Sequence, residues 1–211
     1  MRIGIYAGTF DPIHKGHLAF AQSAVEQAKL DKVIIVAEKE PYRKKPHASW
    51  DHRQAMIERA TEQVPQVDHD YRFANQLAHQ HTMQNMLSVA SNHFGDEHEY
   101  WFLVGSDIFQ HMAEWQDVIK AEEYGGFVVA LKHDHTKEWL QDKITRLKEQ
   151  GTVCHVLLVD HQEPQASSSN VREAVFNNKH SSESIDAVTA YIRKHQLYTA
   201  SSSGTSSGEG S

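Results

Sequence analysis

The chain has 211 residues and carries 28 acidic against 21 basic side chains, a formal net charge of -7 with histidine neutral. That length suits one sizeable domain with its own core, and the acidic balance disfavours a nucleic-acid coat, which needs a basic surface. No apolar run approaches the roughly 20 residues that span a bilayer, so no membrane partner is expected. The sequence enters an apolar run directly, without the three-part pattern of a signal peptide. With a single cysteine, Cys154, it predicts a reducing, cytoplasmic setting.

Short apolar runs alternate with longer helical segments, which predicts a single α/β domain over residues 1–198 with a parallel sheet. Ile3 to Ala7 reads as the first strand and His17 to Lys29 as the first helix, with Leu18, Ala21, Val25 and Ala28 on one face. Val33 to Ala37 follows as a strand, Pro41 to Ser49 as a basic loop, and Trp50 to Glu62 as a helix with Met56, Ile57 and Ala60 inward. Tyr71 to Ala74 reads as a short strand and Thr82 to Phe94 as a helix. Strands are expected at Tyr100–Gly105, Phe127–Leu131 and Val153–Val159, with a polar helix from Glu138 to Gln150. Val171–Phe176 and Ser184–His195 are the closing helices. Residues 199–211 are almost entirely Ser, Gly and Thr, a disordered tail or expression remnant that cannot offset its ordering entropy. In such a sheet, ligands sit at the carboxyl ends of the strands, near the switch point.

The segment Gly8-Thr9-Phe10-Asp11-Pro12-Ile13-His14-Lys15-Gly16-His17 occupies that place. Gly8 permits close backbone approach, Thr9 adds a hydroxyl, and backbone N–H groups at a strand–helix turn attract anions. His14 and His17 fall on neighbouring positions of the first helical turn, and Gly16 removes a side chain between them. Two imidazoles so placed donate hydrogen bonds to phosphoryl oxygens. A second anion-attracting stretch is Ser167-Ser168-Ser169-Asn170-Val171-Arg172, where hydroxyls precede a helix whose first turn holds an arginine.

Both stretches resemble the nicotinate and nicotinamide mononucleotide adenylyltransferases of the nucleotidyltransferase superfamily. The first matches their Gly-x-Phe-Asp-Pro-x-His-x-Gly-His signature. The second is similar to their Ile-Ser-Ser-Thr-x-Ile-Arg, with Ala166 and Ser169 as conservative departures. The loop Pro41-Tyr42-Arg43-Lys44-Lys45-Pro46-His47, Gly105-Ser106-Asp107, Trp115 and the closing Val188 to Tyr198 resemble further family motifs in the same order. The resemblance implies a Rossmann-like, doubly wound sheet and transfer of AMP from ATP to a pyridine mononucleotide, releasing pyrophosphate, in NAD synthesis. It implies His14 and His17 as catalytic residues, with Gly8, Thr9, Phe10, Gly16, Lys45, Ser168, Ser169 and Arg172 at ATP and its phosphates. Gly105 and Asp107 would meet a ribose, and Thr82, Trp115 and Arg53 the acceptor. Mg²⁺ would ride on the phosphates rather than in a protein cage. The family's Tyr-Thr-x-x-Thr-Leu reads His81-Thr82-Met83-Gln84-Asn85-Met86 here, so acid and amide acceptors both stand, as does a homo-oligomer. The competing readings are a phosphopantetheine adenylyltransferase, a cytidylyltransferase and a non-catalytic nucleotide sensor. A zinc site at His79-Gln80-His81 or His133-Asp134-His135 is disfavoured, because no further ligands at suitable spacing accompany either; both read as surface histidines.

Overall fold

The computed structural model describes residues 1–41, 45–77, 83–111, 124–132, 135–149, 155–162 and 165–199. Its first half runs β1 (Arg2–Gly8), α1 (Lys15–Gln27), β2 (Lys32–Ala37), α2 (Trp50–Thr61), β3 (Val67–Asp68), α3 (Tyr71–Gln76) and α4 (Met83–Phe94). Its second half runs β4 (Glu99–Gly105), α5 (Ser106–Phe109), β5 (Gly126–Ala130), α6 (Lys137–Glu149), β6 (Val156–Val159), α7 (Ser168–Phe176) and α8 (Asp186–Lys194). The strands form one sheet in the order β3-β2-β1-β4-β5-β6, with every pair parallel.

The strands are apolar on both faces because both faces are covered, as a parallel sheet requires. Val33 and Ile35 of β2 pack with Ala21 and Ala24 of α1, Met56 and Ile57 of α2, and Val188 and Ile192 of α8. The alternate residues Ile34 and Val36 join Phe73 of α3, Ala90 of α4 and Leu140 and Leu147 of α6 on the other side. No helix among the described residues is long and apolar enough to cross a membrane.

Strand order reverses between β1 and β4. Their pairing runs from Arg2↔Glu99 to Ile5↔Phe102, while the strands continue to Gly8 and Gly105. On its other side β1 stays paired to its last residue, Gly8↔Ala37. The two central strands therefore part at their carboxyl ends, and that parting opens a crevice at the switch point.

Two expectations need correction. Tyr71 to Ala74 is the start of helix α3, not a strand: the Asp70 carboxylate caps it by accepting the Phe73 N–H at 2.9 Å. The edge strand lies just before, at Val67–Asp68. Helix α7 starts at Ser168 rather than Val171, because Ser167 Oγ accepts the Asn170 N–H at 3.1 Å and makes Ser167 the cap. The expected strand from Val153 is described as Val156–Val159; residues 153 and 154 lie outside the described residues, Cys154 with them.

Candidate active site

The crevice is floored by the glycine turn after β1. Phe10 takes a left-handed φ of 45°, and its ring folds back under Gly8, 3.1 Å from where a Cβ would stand. The bare Cα of Gly8 thus accommodates Phe10 first. The Phe10 ring then meets the edge of His17 at 4.9 Å between centroids.

His14 and His17 stack at 3.6 Å with 27° between their rings. His14 caps α1 and is only 3% exposed. Its backbone N–H donates to His17 Nδ1 at 3.2 Å. An Nδ1 that accepts carries no proton, so the neutral His17 ring holds its proton on Nε2, as a donor. His14 Nδ1 is buried with no hydrogen-bond partner among the described residues. Such an orphaned atom is costly unless a ligand completes it.

Burial pushes the His14 pKa down from the ordinary 6.5 to about 3, and the charges of Lys132 and His161 push the same way. The imidazole is therefore neutral in the unliganded fold. Unfolded, it takes up a proton near pH 6.5, so stability is intact above that pH and is lost as pH falls toward 3. At pH 5 the loss from this residue alone is about 2 kcal/mol, at ~1.4 kcal/mol per unit of separation. Denaturant titrations at pH 7.5 and 5 check this: His14→Gln should lose less stability between them than the parent, by about that amount. Equal losses would mean that His14 is not held neutral.

Asp11, 4% exposed, ties this turn to the rest of the chain. Its Oδ2 accepts the His47 N–H at 2.7 Å, and its Oδ1 accepts the Ala48 N–H at 3.0 Å and the Tyr198 hydroxyl at 2.7 Å. Burial and the Asp11 charge push the Tyr198 phenol up, so it remains a donor. Lys45, exposed, stands two residues from the anchored His47.

Helix α7 is stitched to the same turn. Ser168 Oγ donates to Pro12 O at 2.9 Å, and Arg172 donates to Asp11 O at 2.6 Å and Ser169 Oγ at 3.1 Å. Glu183 joins the two helix starts: its backbone O accepts the Lys15 N–H at 2.9 Å and its carboxylate the Ser167 N–H at 2.8 Å. The positive ends of α1 and α7 therefore converge on one spot. The Ser168 hydroxyl gives its proton to Pro12 in this arrangement and so joins α7 to the turn. Arg172 has further N–H groups beyond those two bonds, and Ser169 keeps its own O–H.

Arg53 is also corrected. Expected at the acceptor, it is 1% exposed. It donates to the carbonyls of Thr9 at 2.8 Å, Glu38 at 2.7 Å, Lys39 at 3.2 Å and Ala48 at 3.3 Å. It holds the loops around the site and does not reach a ligand. Gly105 and Asp107 stand at the carboxyl end of β4, where Asp107 Oδ1 packs over the Gly105 Cα. Gly16 is buried between the two histidines. Thr82 and Trp115 lie outside the described residues, as do Arg43, Lys44, His79 to His81, His133 and Asp134. His135 is no solvated surface group: it stacks on Trp139 and bonds Ser106.

The sequence reading passed over Lys132 and His161. Each stands two residues past a strand end, those of β5 and β6. That position is itself the signal, because in a doubly wound sheet such residues face the ligand crevice.

A family model described as cytidylyltransferase-like matches residues 5–174. The chain therefore belongs to the cytidylyltransferase-like family. Curated relatives include a probable nicotinate-nucleotide adenylyltransferase of Clavibacter michiganensis, 29% identical over 201 residues that cover 94% of each chain. Another, of Chromobacterium violaceum, is 26% identical over 212 residues, covering 93% of this chain and 98% of that one. The fold is that of the Plasmodium falciparum nicotinic acid mononucleotide adenylyltransferase complexed with NaAD, at a TM-score of 0.72, 17% identity and coverage of 93% and 97%.

Proposed function

We propose that this chain is a nicotinate-nucleotide adenylyltransferase that joins the AMP of ATP to nicotinate mononucleotide in NAD synthesis. The observation that carries this is the stacked His14–His17 pair, at the spot where α1 and α7 direct their positive ends. The names of the full-length relatives support the acid form of the acceptor.

A phosphate oxygen of the mononucleotide attacks the α-phosphorus of ATP in line. The new O–P bond forms as the bond to the bridging oxygen breaks, and that electron pair leaves with pyrophosphate. A phosphate monoester is already ionised near neutral pH, so no general base is required. Catalysis is then positioning and charge stabilisation. His17 Nε2–H donates to the phosphoryl oxygens, and the buried His14 gains the partner it lacks. Arg172 and Ser169, at the start of α7, and Lys45, in the loop between β2 and α2, supply further contacts to ATP.

The side chains at the crevice are imidazoles, a lysine, an arginine, a hydroxyl and the carboxylate of Asp107. That set suits phosphate oxygens, so Mg²⁺ would be carried on the triphosphate, where it neutralises charge. Coupled pyrophosphate release with ATP and Mg²⁺ tests the reading over nicotinate and nicotinamide mononucleotides, with CTP replacing ATP as a control. The expected result is turnover with ATP, and a higher kcat/KM for the nicotinate form. Pyrophosphate release with CTP alone, or with no pyridine acceptor, overturns it.

A further inference from the structure

The carboxyl end of β5 carries a cation that the transfer as described leaves unused. Lys132 is held firmly at its backbone. Its N–H donates to Ser106 Oγ at 2.9 Å, and its carbonyl accepts the His135 N–H at 2.9 Å. Ser106 is fully buried, and its Oγ lies 2.8 Å from His135 Nδ1. Ser106 thus bridges the Lys132 backbone and the His135 ring. His135 is in turn fixed by stacking on Trp139 at 3.7 Å and 11°. A side chain that starts from so rigid a base has few places to go.

It runs back across β4. Lys132 Cε lies 3.4 Å from the point where a Cβ on Gly105 would stand, beside Asp107 Oδ1. The residue is half-buried, yet its ammonium makes no hydrogen bond or ion pair among the described residues, with Asp107 or any other. The ammonium is therefore uncommitted among these residues and open to an anionic ligand. Its charge is felt across the crevice by His14, which has an orphaned Nδ1 of its own. An uncommitted cation and the histidine pair thus stand at the same crevice, near enough for the charge of one to act on the other. An anion bound there meets the Lys132 ammonium.

We propose that Lys132 is a catalytic residue whose ammonium binds the α-phosphoryl group of the nucleoside triphosphate, opposite the histidine pair. This rests on the adenylyl-transfer reading above. Lys132 stays an ammonium throughout: no proton moves, and its charge offsets the negative charge that gathers as the attacking oxygen closes on the α-phosphorus. Its neighbour Asp107 is the residue that the family resemblance puts at a ribose, and that favours the phosphate nearest the nucleoside over the outer two as the partner of Lys132.

Lys132→Gln and Lys132→Arg test this by calorimetric binding of ATP, AMP and adenosine to the full chain, beside the coupled assay. Lys132→Gln should bind ATP and AMP about tenfold or more weakly and adenosine unchanged, since a charge-assisted bond to phosphate is lost. Lys132→Arg should recover most of that affinity. Unchanged AMP binding in Lys132→Gln overturns the proposal, and so does a loss confined to ATP, which would place the ammonium at the outer phosphates. An equal loss for adenosine also overturns it, as a structural effect. A parent protein that binds AMP but releases no pyrophosphate with either pyridine acceptor would defeat the assigned reaction, while the binding comparison still decides Lys132.

Discussion

Replacing His17 by alanine should lower kcat by about 10²–10³-fold, the loss typical of removing one preorganised donor to a developing oxyanion. The fold should survive. His17 is half-exposed, and within the fold its ring accepts the His14 N–H at a helix start. Losing that bond costs about 1 kcal/mol, because the N–H sits at a helix start where water can replace the imidazole. On the proposed reading, KM for ATP should change much less than kcat, because Lys45, Ser169 and Arg172 are the groups assigned to the triphosphate. Steady-state rates with a parallel melting curve make the comparison. Turnover like that of the parent would remove His17 from the chemistry.

The second large effect is on stability. Arg53→Met should destabilise by about 3–5 kcal/mol, the cost of leaving buried polar groups without their charged partner. Four carbonyls from two loops depend on this one guanidinium. Methionine fills part of the volume but offers no donor. Arg53→Lys should not restore the loss, since one ammonium on a flexible stem cannot fork to four separate oxygens. Against a total stability of ~5–15 kcal/mol, such a loss is easily read from the denaturant midpoint. A shift under about 1 kcal/mol would mean that water satisfies those carbonyls, and the assigned role would fail.

Most of the sheet was legible because a parallel strand buried on both faces is written as an unbroken apolar run. Ile34 and Val36 serve one core and Val33 and Ile35 the other, so the whole stretch must be apolar. The edge is harder to read. Val67 and Asp68 pair only with β2 and carry almost no pattern. Tyr71 to Phe73 favour a strand by residue type, yet one carboxylate before them settles the matter by capping a helix. The two phosphate-directed segments were readable because their residues are neighbours in sequence. Arg53 was misassigned for the opposite reason: the carbonyls that claim it come from residues 9, 38, 39 and 48, and no local pattern announces them. Lys132 carries no motif at all; only its place past a strand end marks it.

The bond from Tyr198 to Asp11 joins residues 187 apart in sequence. During synthesis, the glycine turn leaves the ribosome among the first segments, and its partner leaves with the last of the domain. Until then the Asp11 carboxylate lacks its hydroxyl donor, and the crevice lacks the stitch from α7. A nascent chain can build the sheet from β1 to β6 beforehand, but the glycine turn gains its bonds from α7 and Tyr198 only when those segments have been made. Incomplete chains therefore carry the histidine pair without the geometry that aims it.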